Sequence, residues 1–358
     1  MSITQTFSIS VRDINEPPVF MSLLSTDGQL SFPVDHPQVK ENSKAGTIIG
    51  RIQATDLDAN QRLTFSFDSN AQGRFSISTS SACSFTSSSN CTATVSVSGS
   101  LDYENSYQHQ VVVRVTDPSG KFRVKNFTVK IVDVNDPPTD ITLSNALIAE
   151  NKAKSVVGFF TTTDQDTSQS YSYTLLNSAS GRFAISGDEL VTTVAGLNYE
   201  KAQSWTVRVR VTDNGSPALS YEKNFVINVI DVNEAPTSVQ LDNYQINENC
   251  PVDTVVGKLT TSDPDNANRQ RQTFSYTMID SAQGIFKIEG DDIKVAVSNA
   301  DCLKYGGVYC QLNYEGTPSF SVSVQVTDSG SPSASAIFNL TIQLKDINDQ
   351  PRQFTISN

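Results

Sequence analysis

The residues best equipped for chemistry in this sequence are carboxylates, and they recur in a fixed order. An Asp-x-Asn-Asp/Glu group with prolines close behind occurs at Asp13-Ile14-Asn15-Glu16, Asp133-Val134-Asn135-Asp136, Asp231-Val232-Asn233-Glu234 and Asp346-Ile347-Asn348-Asp349. Between these groups the same landmarks return in the same order. A Glu-Asn pair (Glu41, Glu150, Glu248) comes first, then an Asp-x-Asp (Asp56/Asp58, Asp164/Asp166, Asp263/Asp265) and a Phe-x-Ile (Phe75, Phe183, Phe286). A Leu-x-Tyr-Glu ending at Glu104, Glu200 and Glu315 follows, and a Val-Thr-Asp ending at Asp117, Asp213 and Asp328 closes each set. Of the 38 acidic residues, 24 lie on these landmarks, so capping of turns does not account for their placement. Hard oxygen donors without thiolate or imidazole select calcium, which accepts 6–8 oxygens in irregular geometry, over zinc or the stricter magnesium.

Such a set works only if a scaffold gathers it. Repetition at the length of one small domain points to an array of like units. Within a unit the chain alternates: Val207, Val209 and Val211 flank Arg208 and Arg210, and Phe127, Val129 and Ile131 do the same before a linker. A period of two marks strands with one buried face, and short strands with regular turn signals predict all-β sandwiches. The expected organisation is a last strand and linker of one repeat at 1–18, full repeats at 19–138, 139–236 and 237–351, and the start of another at 352–358. The chain thus reads as an interior piece of something longer, with the strand of the first part at 1–12.

The acidic landmarks fall at strand ends, so a sandwich collects them at its poles. The first joint would bring Glu41, Asp102 and Glu104 to linker residues Asp133, Asn135 and Asp136 and to Asp164, Asp166 and Asp213 beyond it. Two like charges about 4 Å apart cost roughly 1 kcal/mol in water and about 4 at an effective dielectric of 20. A joint of this kind requires cations.

In these landmarks the sequence resembles the cadherin superfamily, whose Glu-x-Asn, Asp-x-Asp, Leu-Asp-x-Glu, x-Asp-x-Gly and Asp-x-Asn-Asp-x-Pro signatures they match over essentially the whole chain. The resemblance implies tandem Greek-key sandwiches of about seven strands each, joined head to tail through linkers that hold up to three calcium ions. Carried over, two ions would be held by Glu41, Asp102, Glu104, Asp133, Asp136, the Val134 carbonyl and Asp166. The third would take Asn135, Asp164, Asp166 and Asp213 with carbonyls including that of Pro137. The second joint would use Glu150, Asn198, Glu200, Asp231, Asn233, Glu234, Asp263, Asp265 and Asp328. There Asn198 replaces the family's aspartate and Glu234 the linker aspartate, which predicts weaker or missing occupancy of the outermost ion. Asp13, Asn15, Glu16, Asp56, Asp58 and Asp117 would form half of a site at one end of the chain. Glu248, Glu315, Asp346, Asn348 and Asp349 would form half at the other, where Asn313 repeats the substitution.

A formal charge of -12 argues against nucleic acid and anionic lipid as partners. With only two histidines, His36 and His109, Ser-His or Cys-His catalysis has little to build on, and neither an enzyme nor a small-molecule substrate is expected. No run approaches the roughly 20 apolar residues of a membrane span, so any membrane attachment would lie outside this sequence. Cys83/Cys91 and Cys302/Cys310 share one separation and sit in equivalent inserts. Local disulfides are the first reading and free thiols the second; disulfides imply an oxidising compartment. Cys250 is left over, either buried and inert or paired elsewhere. Asn90, Asn126, Asn214 and Asn339 head glycosylation sequons. Trp205, inside the second repeat, is expected on a strand face or in the core.

The function that follows is a calcium-rigidified extracellular segment of a protocadherin- or FAT-like adhesion protein. Its partners would be other cadherin-like ectodomains, homophilic or heterophilic, at the cell surface. The competing reading is a secreted acidic matrix protein that binds calcium, possibly in association with mineral.

Overall fold

The computed structural model describes residues 1–24, 37–58, 61–79, 91–193, 196–268, 272–297 and 312–348. Cys83, Asn90, Cys302, Cys310, Asp349 and residues 352–358, singled out above, lie outside these.

The period-two segments form strands. In the first repeat these are β1 (Val19–Leu24), β2 (Gln38–Lys40), β3 (Ile48–Thr55), β4 (Thr64–Ser69), β5 (Phe75–Thr79), β6 (Cys91–Val97), β7 (Gln108–Thr116) and β8 (Phe122–Val132). They make two four-stranded sheets, β1-β3-β6-β5 and β2-β8-β7-β4. Among the described strands of this repeat only β2 runs parallel to its neighbour, pairing Val39 with Ile131 of β8. The same sheet orders recur from Asp140–Leu143 to Ser220–Ile230 and from Ser238–Leu241 to Ser335–Lys345. Among the described residues the one helical element is a 3-10 turn at Asp265–Asn268, and no helix is long and apolar enough to cross a membrane.

Alternation puts every second side chain into a core. In β7, Val111, Val113 and Val115 point inward with Ile52, Leu63, Phe75 and Leu101 around them. In the third repeat Val322, Val324 and Val326 face Phe286, Ile293, Leu312 and Ile342 in the same way. Leu190, Leu197, Val207, Val209, Val211 and Ile227 are buried in the second. Each such side chain supplies about 1.5–3 kcal/mol of burial energy. Cys250, left open by the sequence, is a buried thiol of the third core, its pKa raised by burial. Cys91, at the start of β6, is buried and disulfide-bonded. Trp205 is half-buried on its strand, with the Arg182 guanidinium 3.9 Å from its ring centroid.

The seven-stranded sandwich is present in each repeat, with one refinement: among the described residues the first strand is divided into two segments, one in each sheet. In the later repeats an asparagine fixes the break: Asn145 Nδ2 donates to the carbonyls of Leu147 and Val157, and Asn243 Nδ2 to those of Gln245 and Val256. Residues 1–12, expected as a strand, form none and are exposed. An alternating segment gains stability as a strand only by joining a sheet, and no described strand pairs with it.

By its packing the chain divides into two units: 1–141 with 162–172 and 211–221, and 142–161 with 173–210 and 222–358. The first linker therefore belongs to one unit together with the loops that carry Asp164, Asp166 and Asp213. The second linker and all its partners belong to the other.

Candidate metal centres

Each landmark has a local structural job that fixes where its oxygens point. In the Glu-Asn pair, the glutamate is buried and bridges two segments. Glu41 accepts the Tyr103 N–H at 2.7 Å and the Val134 N–H at 2.8 Å, so it ties the Leu-x-Tyr-Glu loop to the linker. Glu150 does the same with Tyr199 and Val232, and Glu248 with Tyr314 and Ile347. The following asparagine adopts a left-handed backbone, with φ of 54° at Asn42 and 58° at Asn151, a conformation asparagine tolerates better than most residues. From there Asn42 Nδ2 reaches Asp136 Oδ1, and Asn151 Nδ2 reaches Glu234 Oε1, both at 2.8 Å.

The Asp-x-Asp is an Asx turn in all three repeats. The first aspartate accepts the N–H of the second, as Asp164 does from Asp166 at 3.2 Å and Asp263 from Asp265 at 3.0 Å. Asp56 and Asp58 repeat it. The second aspartate then accepts the N–H of the last acidic linker residue: Glu16 to Asp58, Asp136 to Asp166, Glu234 to Asp265. The linker asparagine docks beside the Val-Thr-Asp carboxylate. Asn135 Nδ2 donates to Asp213 Oδ2 and the Pro217 carbonyl, and Asn233 Nδ2 to Asp328 Oδ1 and the Pro332 carbonyl. Its seat is glycine for a steric reason: a Cβ on Gly215 would stand 1.6 Å from Asn135 Oδ1, and one on Gly330 1.7 Å from Asn233 Oδ1. In the first repeat Ser119 takes this place and its hydroxyl bonds Asn15.

These bonds concentrate the remaining carboxylate oxygens. Glu41, Asp102 and Glu104 bring one oxygen each within 4.8 Å of one another, and Glu104, Asp133 and Asp166 form a second such group. The second joint repeats both as Glu150, Glu200, Glu234 and Glu200, Asp231, Asp265. Asn198 occupies the place of Asp102 and keeps its structural bond, accepting the Lys201 N–H at 2.9 Å as Asp102 accepts that of Asn105. The carboxylate absent there is supplied by Glu234, whose longer side chain reaches Glu150 and Glu200. Three carboxylates thus meet at the outer corner of both joints. Asp13, Glu16 and Asp58 gather at the amino-terminal half-site. At the other end Asp346 and Asn348 are exposed.

The electrostatics are those of an anion cluster. Partial burial of its carboxyl end, then repulsion from Glu41, Asp133 and Asp166, pushes Glu104 up to about 7. Burial and the neighbours Asp265 and Asp328 push Asp263 up to about 6. Asp56, Asp164, Glu200 and Glu234 are raised for the same reasons. Among the described residues no lysine or arginine lies at ion-pair distance from the eight carboxylates of the first joint. Asp164 Oδ2, Glu200 Oε2, Glu234 Oε2 and Asp263 Oδ2 are buried with no hydrogen-bond donor among the described residues. Buried, unpaired anionic oxygens carry a large desolvation cost, and a metal that takes only oxygen removes it. The donor sets fit calcium, with no sulfur or imidazole in any named group.

Of the sequon asparagines, Asn126, Asn214 and Asn339 are exposed, and Asn214 Oδ1 accepts the Ser170 N–H. The landmarks did not include Gln61, Gln169 and Gln272, which donate to Asn15, Asn135 and Asn233. The signal available for them was a glutamine two to four residues before an alternating Phe/Tyr-Ser-Phe/Tyr run in each repeat.

Comparison with known proteins gives one family. A family model described as "Cadherin domain" matches residues 35–132, 144–230 and 242–345. Human Protocadherin-10 is 30% identical over 85% of this chain, which spans 29% of that protein. Human Protocadherin Fat 4 is 29% identical over 97% of this chain and 7% of its own length. The crystal structure of mouse Cadherin-23 EC22-24 superposes with a TM-score of 0.56 at 20% identity, covering 93% of this chain and all of that one. The chain spans less than a third of the length of these curated relatives. It belongs to the cadherin family as a tandem array of cadherin repeats.

Proposed function

We propose that the chain is a calcium-dependent segment of an extracellular adhesion protein. On this reading, calcium ions at the two linkers bind carboxylates from both sides and stiffen each joint. The observation that carries it is the twofold recurrence of the same assembly. In each, a buried glutamate pins the linker, two carboxylate triads share a glutamate, and buried oxygens stand without donors. Glu41, Asp102, Glu104, Asp133, Asp136 and Asp166 would hold the outer ions of the first joint, with the Val134 carbonyl. Asn135, Asp164, Asp166 and Asp213 would hold the inner one, with the Pro137 carbonyl. In the second joint Glu150, Glu200, Asp231, Glu234 and Asp265 would take the outer part, with Asn233, Asp263, Asp265 and Asp328 inside. Bound there, calcium supplies positive charge to the cluster. The chain's own residues orient the oxygens, and no chemical step is part of the role.

Affinities of extracellular calcium modules run about 10⁻⁴–10⁻³ M, which suits sites filled outside cells. The partner surfaces would be those of other cadherin-like ectodomains. Calorimetric titration of the chelator-treated chain with calcium tests the reading. Binding of several ions, lost in Glu41→Ala/Glu150→Ala, is the expected result; absence of heat at millimolar calcium contradicts it.

A further inference from the structure

The innermost position of each joint contains a side chain that neither acts as an anion nor caps a turn. In the first joint, Gln169 Nε2 donates to Asn135 Oδ1 at 2.7 Å and to Asp166 Oδ2 at 2.9 Å. In the second, Gln272 Nε2 donates to Asn233 Oδ1 at 2.7 Å and to Asp265 Oδ2 at 3.2 Å. An amide NH2 thus sits between an asparagine and an aspartate oxygen, contributing the partial positive charge that a cation would contribute in full. The other end of each amide is anomalous. Gln169 Oε1 and Gln272 Oε1 are both buried and, among the described residues, accept no hydrogen bond.

A buried acceptor without a donor is costly and calls for an explanation. Here it occurs in two repeats, on the same residue, in the same setting. The surroundings in the second joint point the same way. Asp263 is 9% exposed and its Oδ2 is also without a donor, while Asp265 and Asp328 are 3% and 4% exposed. The two ends of a glutamine amide have nearly the same size and shape, so a half-turn about the last side-chain bond exchanges donor for acceptor without repacking. Calcium takes neutral amide oxygens alongside carboxylates.

Resting on the calcium reading above, we propose that Gln169 and Gln272 are ligands of the innermost ion of their joints. In the empty joint the NH2 end holds the Asn and Asp oxygens in place. When calcium enters, the amide turns and gives the ion its Oε1. The glutamine thereby keeps the donor set assembled before the ion arrives and becomes part of it afterwards.

The test uses the whole chain with terbium as a luminescent probe and calcium by calorimetry. Luminescence lifetimes in H2O and D2O count the waters on bound terbium. In Gln169→Ala and Gln272→Ala the total should rise by about one water per substituted joint, because a ligand position opens. Calcium affinity at one site of that joint should fall about tenfold. Gln272→Glu, which gives the ion a charged oxygen in the same place, should bind calcium more tightly. Unchanged hydration and affinity in the alanine variants would overturn the proposal while leaving calcium binding intact. So would tighter binding by the alanine variants, since the amide would then be only a competitor of the ion. A parent chain that takes up neither metal would overturn the calcium reading and this one with it. Should the alanine variants fail to fold, Gln272→Glu decides alone: tighter binding supports the role, and equal or weaker binding refutes it.

Discussion

Single residues in this chain do double duty, structural and electrostatic, and the two can be separated by experiment. Glu150 accepts two backbone N–H groups in full burial. Glu150→Ala leaves both without their partner, so it should destabilise the chain by about 2 kcal/mol even in chelator, measurable by urea unfolding. The raised carboxyl groups work in the opposite direction. Glu104 is pushed up to about 7 in the fold from the ordinary glutamate value of 4.5, and Asp263 to about 6 from the ordinary aspartate value of 3.8. A group whose pKa rises on folding favours the fold while protonated, and that contribution fades as pH climbs through the window from the unfolded value to the folded one. The calcium-free chain should therefore lose thermal stability between pH 4.5 and 7, and millimolar calcium at neutral pH should restore it. A calcium-free chain equally stable at both pH values would show that these carboxylates feel no cluster. Glu234 tests whether the second joint has recovered the charge lost at Asn198. Glu234→Gln should weaken calcium binding there about tenfold, and calorimetry reads the change. Most of these acids were legible in the sequence because their spacing repeats. The reach of Glu234 toward Glu150 and Glu200 was not, because a count of carboxylates carries no information about side-chain length across a turn.

At the scale of elements, alternation of apolar residues was enough to find the strands, since each buries one face. Val207, Val209 and Val211 are fully buried as their period of two requires. Leu197→Ala, in the Leu-x-Tyr-Glu loop, removes a side chain 1% exposed and should cost about 3 kcal/mol, read from denaturant unfolding. What alternation could not reveal was the division of the first strand between sheets, which depends on the side chains of Asn145 and Asn243 bonding across the break. Nor could it reveal why glycine follows two residues after Asp213 and Asp328. That reason lies in the approach of a linker asparagine from elsewhere in the chain. Gly330→Ala pushes a methyl group into Asn233 Oδ1 and should unseat the linker from the third repeat. Lost calcium affinity at that joint, with the sandwich cores intact by circular dichroism, is the expected outcome; unaltered affinity would mean the asparagine seat is dispensable.

For the whole molecule, the repeats and their family were written in the order of the landmarks, and the family model matches once in each of the three sandwiches. The consequence of calcium for the array is a property of the joints acting together, which no single motif states. On the proposed reading each linker, crowded with carboxylates, is loose without calcium and fixed with it. Small-angle X-ray scattering of the whole chain in millimolar calcium and in chelator measures this directly. A larger maximum dimension and a narrower spread of conformations are expected with calcium, reversed by chelation and abolished in Glu41→Ala/Glu150→Ala. Scattering curves that superpose with and without calcium would contradict it.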